Sequence, residues 1–160
     1  MPVPMIALCA IISTSFGLTE RVSKRACTYV PHIVAEAENN NIEPTLLASV
    51  IMVESGFRPR VVSSAGACGL TQVVPKWTGG PETNFKKYTC SQLKNPKVAI
   101  RVGAQILSYS IRVYGKGDLD TGLCFYNAGT RCLKSERFVR RLYYTKKVKS
   151  YKSVIDDEGC

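Results

Sequence analysis

Residues 44–57 read PTLLASVIMVESGF, and both the fold and the chemistry turn on how they are read. Pro44 suits the first turn of a helix, where its missing N–H costs nothing. Gly56 suits the left-handed residue just past the helix end. Between them Leu47, Val50, Ile51 and Glu54 fall at i, i+3, i+4 and i+7, one face of a helix. That face is apolar except for its last member. A carboxylate on a buried stripe is unfavourable unless it is paired or protonated. No other acid lies between Pro44 and Pro81, so no near neighbour in the chain repels it. Desolvation would then lift its pKa toward the range in which a carboxyl acts as a general acid near neutral pH. The competing reading turns Glu54 outward at the helix end, or pairs it with Arg58 or Arg60.

Working outward, the flanking segments also read as helical. Residues 27–40 place Ile33, Val34 and Ala37 on one side, and the run Asn39-Asn40-Asn41 ends them. Residues 61–75, VVSSAGACGLTQVVP, begin as a loop in which Gly66 and Gly69 permit close approach or positive φ. Trp77-Thr78-Gly79-Gly80-Pro81 is a turn-rich link. Trp77 is read as a core anchor, with a sugar-stacking platform as the alternative. Asn95-Pro96 is a cap followed by a first-turn proline. It opens a helix whose stripe is Val98, Val102, Ile106, Tyr109 and Val113, closed by Gly115. Asp118 to Ala128 reads as a further helix ended by Gly129. Ser135 caps a last helical region, with Val139, Leu142 and Tyr143 turned inward. Few stretches alternate as strands do, so the chain is expected to be mainly α, helix packed on helix in a single domain.

A chain of 160 residues with seven cysteines, one histidine and a net charge of +10 narrows the function classes. The charge favours a polyanionic partner: nucleic acid, anionic lipid or the acidic bacterial wall. Many of the cations come late, from Arg131 to Lys152. With His32 alone, zinc sites built on two or three imidazoles are excluded, and a Ser-His-Asp triad could run only through that residue. No cysteine pair has C-x-x-C spacing, which argues against zinc ribbons and thioredoxin-like chemistry. A cysteine nucleophile paired with His32 stays open. Residues 5–17, MIALCAIISTSFG, are uncharged and mostly apolar but too short for an easy membrane span. They read as a signal peptide or short N-terminal anchor over residues 1–17, with a buried first helix as the alternative. If Cys9 leaves with such a leader, Cys27, Cys68, Cys90, Cys124, Cys132 and Cys160 remain. An even set in an exported domain reads as up to three disulfides. Spacing does not fix their pairing; Cys68 with Cys90 and Cys124 with Cys132 are the expected partners.

Between Pro44 and Gly117 the only acids are Glu54 and Glu82. Most glycosidases need two carboxylates flanking the bond. A second one here would have to be Glu82, Asp118, Asp120 or a more distant acid. One carboxyl suffices if it first protonates a leaving oxygen and then accepts a proton from a nucleophile inside the substrate.

The combination of Glu54-Ser55-Gly56-Phe57, Ser63, Gly66-Ala67-Cys68-Gly69-Leu70-Thr71-Gln72 and Tyr126-Asn127-Ala128-Gly129 resembles the lytic transglycosylase domain of the soluble lytic transglycosylase (SLT) type. Members carry an E-S pair, a G-A-x-G-L-M-Q loop and a Y-N-A-G segment in that order. The resemblance runs from about Cys27 to about Tyr151. It implies the lysozyme-like fold shared with goose-type lysozyme, with residues 18–160 as the catalytic domain. It also implies cleavage of the β-1,4 bond between N-acetylmuramic acid and N-acetylglucosamine in peptidoglycan, giving a 1,6-anhydromuramoyl end without water.

Under this resemblance Glu54 is the catalytic acid and then base. Ser55 supports the helix end, Ser63 is a loop serine facing acid and sugar, and Gln72 contacts the glycan. Tyr126 and Asn127 line the cleft. Tyr144-Thr145-Lys146-Lys147-Val148 looks like the family's Y-V-x-K-V element, which makes Tyr144 a further cleft residue. No metal and no cofactor are implied. The partners implied are glycan strands and a secretion, conjugation or virion assembly, with no nucleic acid, and with a membrane only through an uncleaved N-terminal segment. The location implied is exported: periplasm, cell envelope or phage virion. Departures are Thr71 where Met is usual, Ala99 where Asn often precedes Ile, and a short segment between Gly129 and Tyr144. The rival readings are a hydrolytic lysozyme (muramidase) on the same fold and a non-catalytic wall-binding module.

Overall fold

The computed structural model of the chain describes residues 4–158. Its helices are α1 (Met5–Ser15), α2 (Glu20–Asn39), α3 (Pro44–Ser55), α4 (Cys90–Leu93), α5 (Pro96–Tyr109), α6 (Leu119–Ala128), α7 (Glu136–Arg141) and α8 (Tyr143–Glu158). A π-helical turn, Ser110–Tyr114, continues α5. Among the described residues there is no named strand, only isolated antiparallel bridges between Val62 and Cys68 and between Cys68 and Val73. The expectation of a mainly α single domain holds.

Helix α3 is the hub. Leu46, Leu47, Ala48, Val50 and Ile51 are all buried, so the helix is enclosed nearly all round rather than along one stripe. The enclosing elements are α2 and α8. Side-chain caps start several other helices, α5 and α7 among them as their sequences promise. Asn95 Oδ1 accepts from the Lys97 and Val98 amides at 3.0 and 3.4 Å, and Ser135 Oγ accepts from the Phe138 amide at 3.1 Å. Helix α2 starts earlier than residue 27 and runs through Pro31, whose ring lies on the exposed side.

Residues 5–17, which read from sequence as a leader or anchor, are described as α1 packed on α2 and α8. Leu8 and Ile12 are fully buried, and Cys9 is bonded to Cys27. Cys9 therefore belongs to the paired set. Cys68–Cys90 and Cys124–Cys132 form as expected, while Cys160 lies outside the described residues. All six described cysteines are bonded, which removes them as nucleophiles for His32. No helix among the described residues is long and apolar enough to cross a membrane.

Three packing expectations are corrected. The α5 stripe is split: Ala99, Ile100, Ala104 and Leu107 face the main core, while Val98, Val102 and Ile106 serve a smaller cluster under the 61–73 loop. The π turn then resets the helical phase, so Val113 ends exposed. At the last helix Tyr144 is buried and Tyr143 is 74 % exposed, the reverse of the inward Tyr143 expected. Trp77 is no core anchor; it is 67 % exposed on a 3₁₀ turn, Pro75–Trp77.

Candidate active site

Glu54 sits in the last turn of α3, and the chain leaves that helix sharply. Gly56 (φ 56°) and Phe57 (φ 59°) are both left-handed, and the Gly56 amide donates to the Met52 carbonyl at 3.0 Å. Phe57 is fully buried, and Arg25 Nε donates to its carbonyl at 3.0 Å, which fixes the exit direction. Arg58 Nε donates to the Ser55 carbonyl at 2.8 Å. Arg58 thus caps the helix end, and no ion pair among the described residues involves Glu54. The outward or ion-paired reading of Glu54 does not hold.

Ser55 Oγ donates to the Leu70 carbonyl at 2.8 Å and to the Ile51 carbonyl at 3.2 Å, joining the helix end to the glycine-rich loop. That loop folds on itself. The Ser63 amide donates to the Ala67 carbonyl, and Ser63 Oγ accepts from the Ala67 amide at 3.1 Å. Gln72 is left-handed (φ 50°), and its Nε2 donates to the Val61 and Gly69 carbonyls at 3.1 and 3.0 Å. Only its Oε1 is left to meet a ligand.

The loop is also clamped from outside. A Cβ on Gly69 would lie 1.9 Å from the Leu93 carbonyl oxygen, and the Cys68–Cys90 bridge ties the loop to the start of α4. Thr71 Oγ1 donates to the Ala99 carbonyl at 2.8 Å, and Gly103 leaves room for the Thr71 methyl, which a Cβ there would meet at 2.4 Å. The threonine that departs from the usual methionine is thus a fully engaged packing residue.

Two tyrosines complete the surroundings of the acid. Tyr126 Oη donates to the Thr71 carbonyl at 2.8 Å, which fastens α6 to the loop. Tyr144, from the first turn of α8, brings its hydroxyl to the Glu54 carboxyl; no hydrogen bond of ordinary length and angle forms, and the buried hydroxyl has no other partner. Loose hydrogen bonds of this kind are common in empty active sites. Burial raises both phenols well above their usual pKa, and the nearby Glu54 charge adds to the effect. Burial also pushes Glu54 up from 4.5 to about 7, with the Tyr144 hydroxyl opposing part of the rise.

No other carboxylate contributes to that shift. Asp118 caps α6 through the Thr121 amide at 2.8 Å, and Asp120 is paired with Lys149 at 2.9 Å. Glu82, on the 3₁₀ turn Pro81–Thr83, acts on Tyr114 rather than on Glu54. The arrangement supplies one proton that can leave and return near neutral pH, between two hydroxyls that stay protonated.

Of the residues singled out from sequence, the structure brings together Glu54, Ser55, Tyr126 and Tyr144, with the Gln72 loop joined to them through Ser55, Leu70 and Thr71. Asn127 is exposed on the last turn of α6, and Ser63 is held in its own turn; neither is hydrogen-bonded to Glu54. Sequence reasoning missed Arg25 and Gly103, and it gave Arg58 the wrong partner: a salt bridge to Glu54 in place of the Ser55 carbonyl. A glycine inside an otherwise strong helix signals close approach, and Gly103 could have been found that way.

The fold is lysozyme-like, with the buried carboxyl at the end of its central helix. The family model of the transglycosylase SLT domain matches residues 31–148, and the chain belongs to that family. It is similar to an endo-type membrane-bound lytic murein transglycosylase A of Klebsiella pneumoniae, 34 % identical over 96 residues, covering 53 % of this chain and 44 % of that one. It is similar to the transglycosylase of Enterobacteria phage PRD1, 33 % identical over 98 residues, covering 61 % and 34 %. The chain spans less than half the length of these curated relatives. The 70 kDa soluble lytic transglycosylase of Escherichia coli superposes with a TM-score of 0.66 at 20 % identity, covering 81 % of this chain and 24 % of that one. An inactive mutant of the Pseudomonas aeruginosa lytic transglycosylase Slt gives 0.67 at 20 % identity, covering 91 % and 25 %. These structures share the fold.

Proposed function

We propose that this domain is a lytic transglycosylase that cuts the β-1,4 bond between N-acetylmuramic acid and N-acetylglucosamine in peptidoglycan. Glu54 starts protonated and gives its proton to the glycosidic oxygen as the bond to the anomeric carbon breaks. As a carboxylate it then takes the proton of the muramoyl 6-hydroxyl while that oxygen closes on the same carbon. The product is a 1,6-anhydromuramoyl end, no water is consumed, and Glu54 finishes protonated.

The observation that carries this reading is the solitary buried carboxyl, raised to about 7 with no second acid beside it. A two-carboxylate hydrolase would keep a second one within about 5–10 Å. Tyr144 steadies the carboxylate midway through the cycle, while Ser55 and Tyr126 keep the glycan loop in register with α3. The Gln72 amide oxygen, Ser63 and Asn127 serve as sugar contacts. The names of the Klebsiella and phage relatives support a murein substrate. Action in the cell envelope or from a virion, in the service of a secretion, conjugation or phage assembly, goes with this reading.

Mass spectrometry of muropeptides released from purified sacculi tests it. Anhydro products that vanish with Glu54→Gln are expected. Products heavier by one water would make the domain a hydrolytic lysozyme, and no release at all would leave a silent wall-binding module.

A further inference from the structure

Residues 75–88 form a knob that carries two large aromatic side chains into solvent, Trp77 67 % exposed and Phe85 75 % exposed. The knob is closed on itself. Thr78 Oγ1 donates to the Pro75 carbonyl at 2.7 Å and accepts from the Tyr88 amide at 2.9 Å, which joins its two ends. Thr83 Oγ1 donates to the Lys86 carbonyl and accepts from the Gly79 amide, both at 2.9 Å. Both threonines are buried. The Cys68–Cys90 bridge then ties the base of the knob to the 61–73 loop.

Phe85 is held outward against local preference. Asn84 (φ 50°) and Phe85 (φ 61°) are left-handed in succession, and the Phe85 amide donates to the Gly80 carbonyl at 2.8 Å. A bulky residue in that region is strained, and such strain concentrates at functional positions. Phe57, the other left-handed phenylalanine, is fully buried, so packing offsets its strain. Phe85 has no such return in water.

The surroundings of both rings are cationic. Residues 75–97 hold five lysines, Lys76, Lys86, Lys87, Lys94 and Lys97, against the single acid Glu82. All five are exposed, and none has an ion pair among the described residues. Glu82 folds back on its own turn: a Cβ on Gly80 would lie 2.6 Å from its Oε2. Lys76 Nζ lies over the Trp77 ring, 4.9 Å from its centroid, and the Lys87 stem lies along Gly79.

We propose that this knob is a docking surface for an anionic lipid bilayer, with Trp77 and Phe85 entering the headgroup layer and Lys76, Lys86 and Lys87 meeting the lipid phosphates. Tryptophan settles at the boundary between lipid and water. Lysine stems lie along apolar matter while their ammonium groups reach for charge, and each cation near an anionic leaflet adds to the attraction. A carbohydrate platform fits less well, because stacking needs a flat ring face and Lys76 lies over one face of Trp77. The contact is peripheral and needs no spanning helix. It uses none of Glu54, Ser55, Tyr126 and Tyr144, so it stands or falls separately from the glycan reading.

Trp77 is the only tryptophan in the chain, so its fluorescence reports this contact directly. The test titrates the full chain with vesicles of phosphatidylglycerol and phosphatidylcholine in equal parts, and with vesicles of phosphatidylcholine only. On the mixed vesicles the emission should move to shorter wavelength and be quenched by lipids brominated in their acyl chains. Affinity for the neutral vesicles should be weaker by roughly thirtyfold or more. Lys76→Glu/Lys86→Glu/Lys87→Glu should lose at least that factor on the mixed vesicles. Phe85→Asn suits the left-handed backbone and so keeps the fold; it should lose about tenfold. Emission unchanged by the mixed vesicles, equal binding to the neutral ones, or full binding by the triple variant overturns the proposal. If purified glycan strands shift the emission and the mixed vesicles do not, the knob is a carbohydrate platform and the lipid assignment falls.

Discussion

Replacing Glu54 by glutamine should abolish the proposed cleavage and, at the same time, stabilise the fold at alkaline pH. The reason lies in the displaced titration of the carboxyl, from 4.5 in the unfolded chain to about 7 in the folded one. Below pH 4.5 both states hold the proton and folding is indifferent to it. Between 4.5 and 7 the unfolded chain releases the proton while the folded one keeps it, so stability falls as pH rises. Above 7 both are ionised and the penalty is constant. A gap of this size corresponds to roughly 3 kcal/mol. Glutamine carries no such penalty at any pH. Urea unfolding of wild type and Glu54→Gln at pH 4 and pH 8 measures it. The variant's advantage should be near zero at pH 4 and approach roughly 3 kcal/mol at pH 8. An advantage that is the same at both values would refute the buried, unpaired carboxyl as the source of the raised pKa.

Further outcomes can be checked with the same protein. Activity at saturating substrate should fall as pH climbs through about 7, because the productive state is protonated Glu54. Tyr144→Phe should move that limb to higher pH, since it removes the group that favours the charged form, while His32→Gln should leave it in place. Gly103→Ala should lower stability by about 1–3 kcal/mol, because its methyl would drive into Thr71; a neutral result in thermal melts would contradict the clamp described here. Cys9→Ser/Cys27→Ser should lower stability by about 2–4 kcal/mol, and an unaffected denaturation midpoint would mean that α1 adds nothing to the domain.

The helices that carry the site were readable because each has its own punctuation. Pro44 and Gly56 bracket α3, Asn95-Pro96 opens α5, and Asp118 and Gly129 bracket α6. Periodicity then placed Glu54 on an inward face. It failed wherever the helical phase is broken. Leu142 is extended (φ −60°, ψ 116°) between α7 and α8, so the stripe drawn through Val139 and Leu142 arrives at Tyr143, whereas the reset phase buries Tyr144. The π turn after Tyr109 does the same to Val113. Tyr144 came into view only through the family resemblance, because a lone tyrosine in a basic stretch carries no periodic signal. The first helix was ambiguous for a different reason: an uncharged apolar stretch of that length suits a leader and a core equally, and packing against α2 and α8 is a tertiary fact. Trp77 had no stripe to belong to, and composition alone favoured the interior.

The three bridges join Cys9 to Cys27, Cys68 to Cys90 and Cys124 to Cys132, so each closes a separate stretch of chain and none encloses or crosses another. Six cysteines can pair in 15 ways, yet here every native partner is the next cysteine along the chain. As the described stretch is made from its N-terminal side, each cysteine that completes one of these bridges finds its partner already present and no other unbonded thiol of that stretch before it. Correct oxidation is then the order of appearance itself, and reshuffling by an isomerase has little to repair. A compartment that only oxidises, without correcting, would suffice to form these three bridges among the described residues.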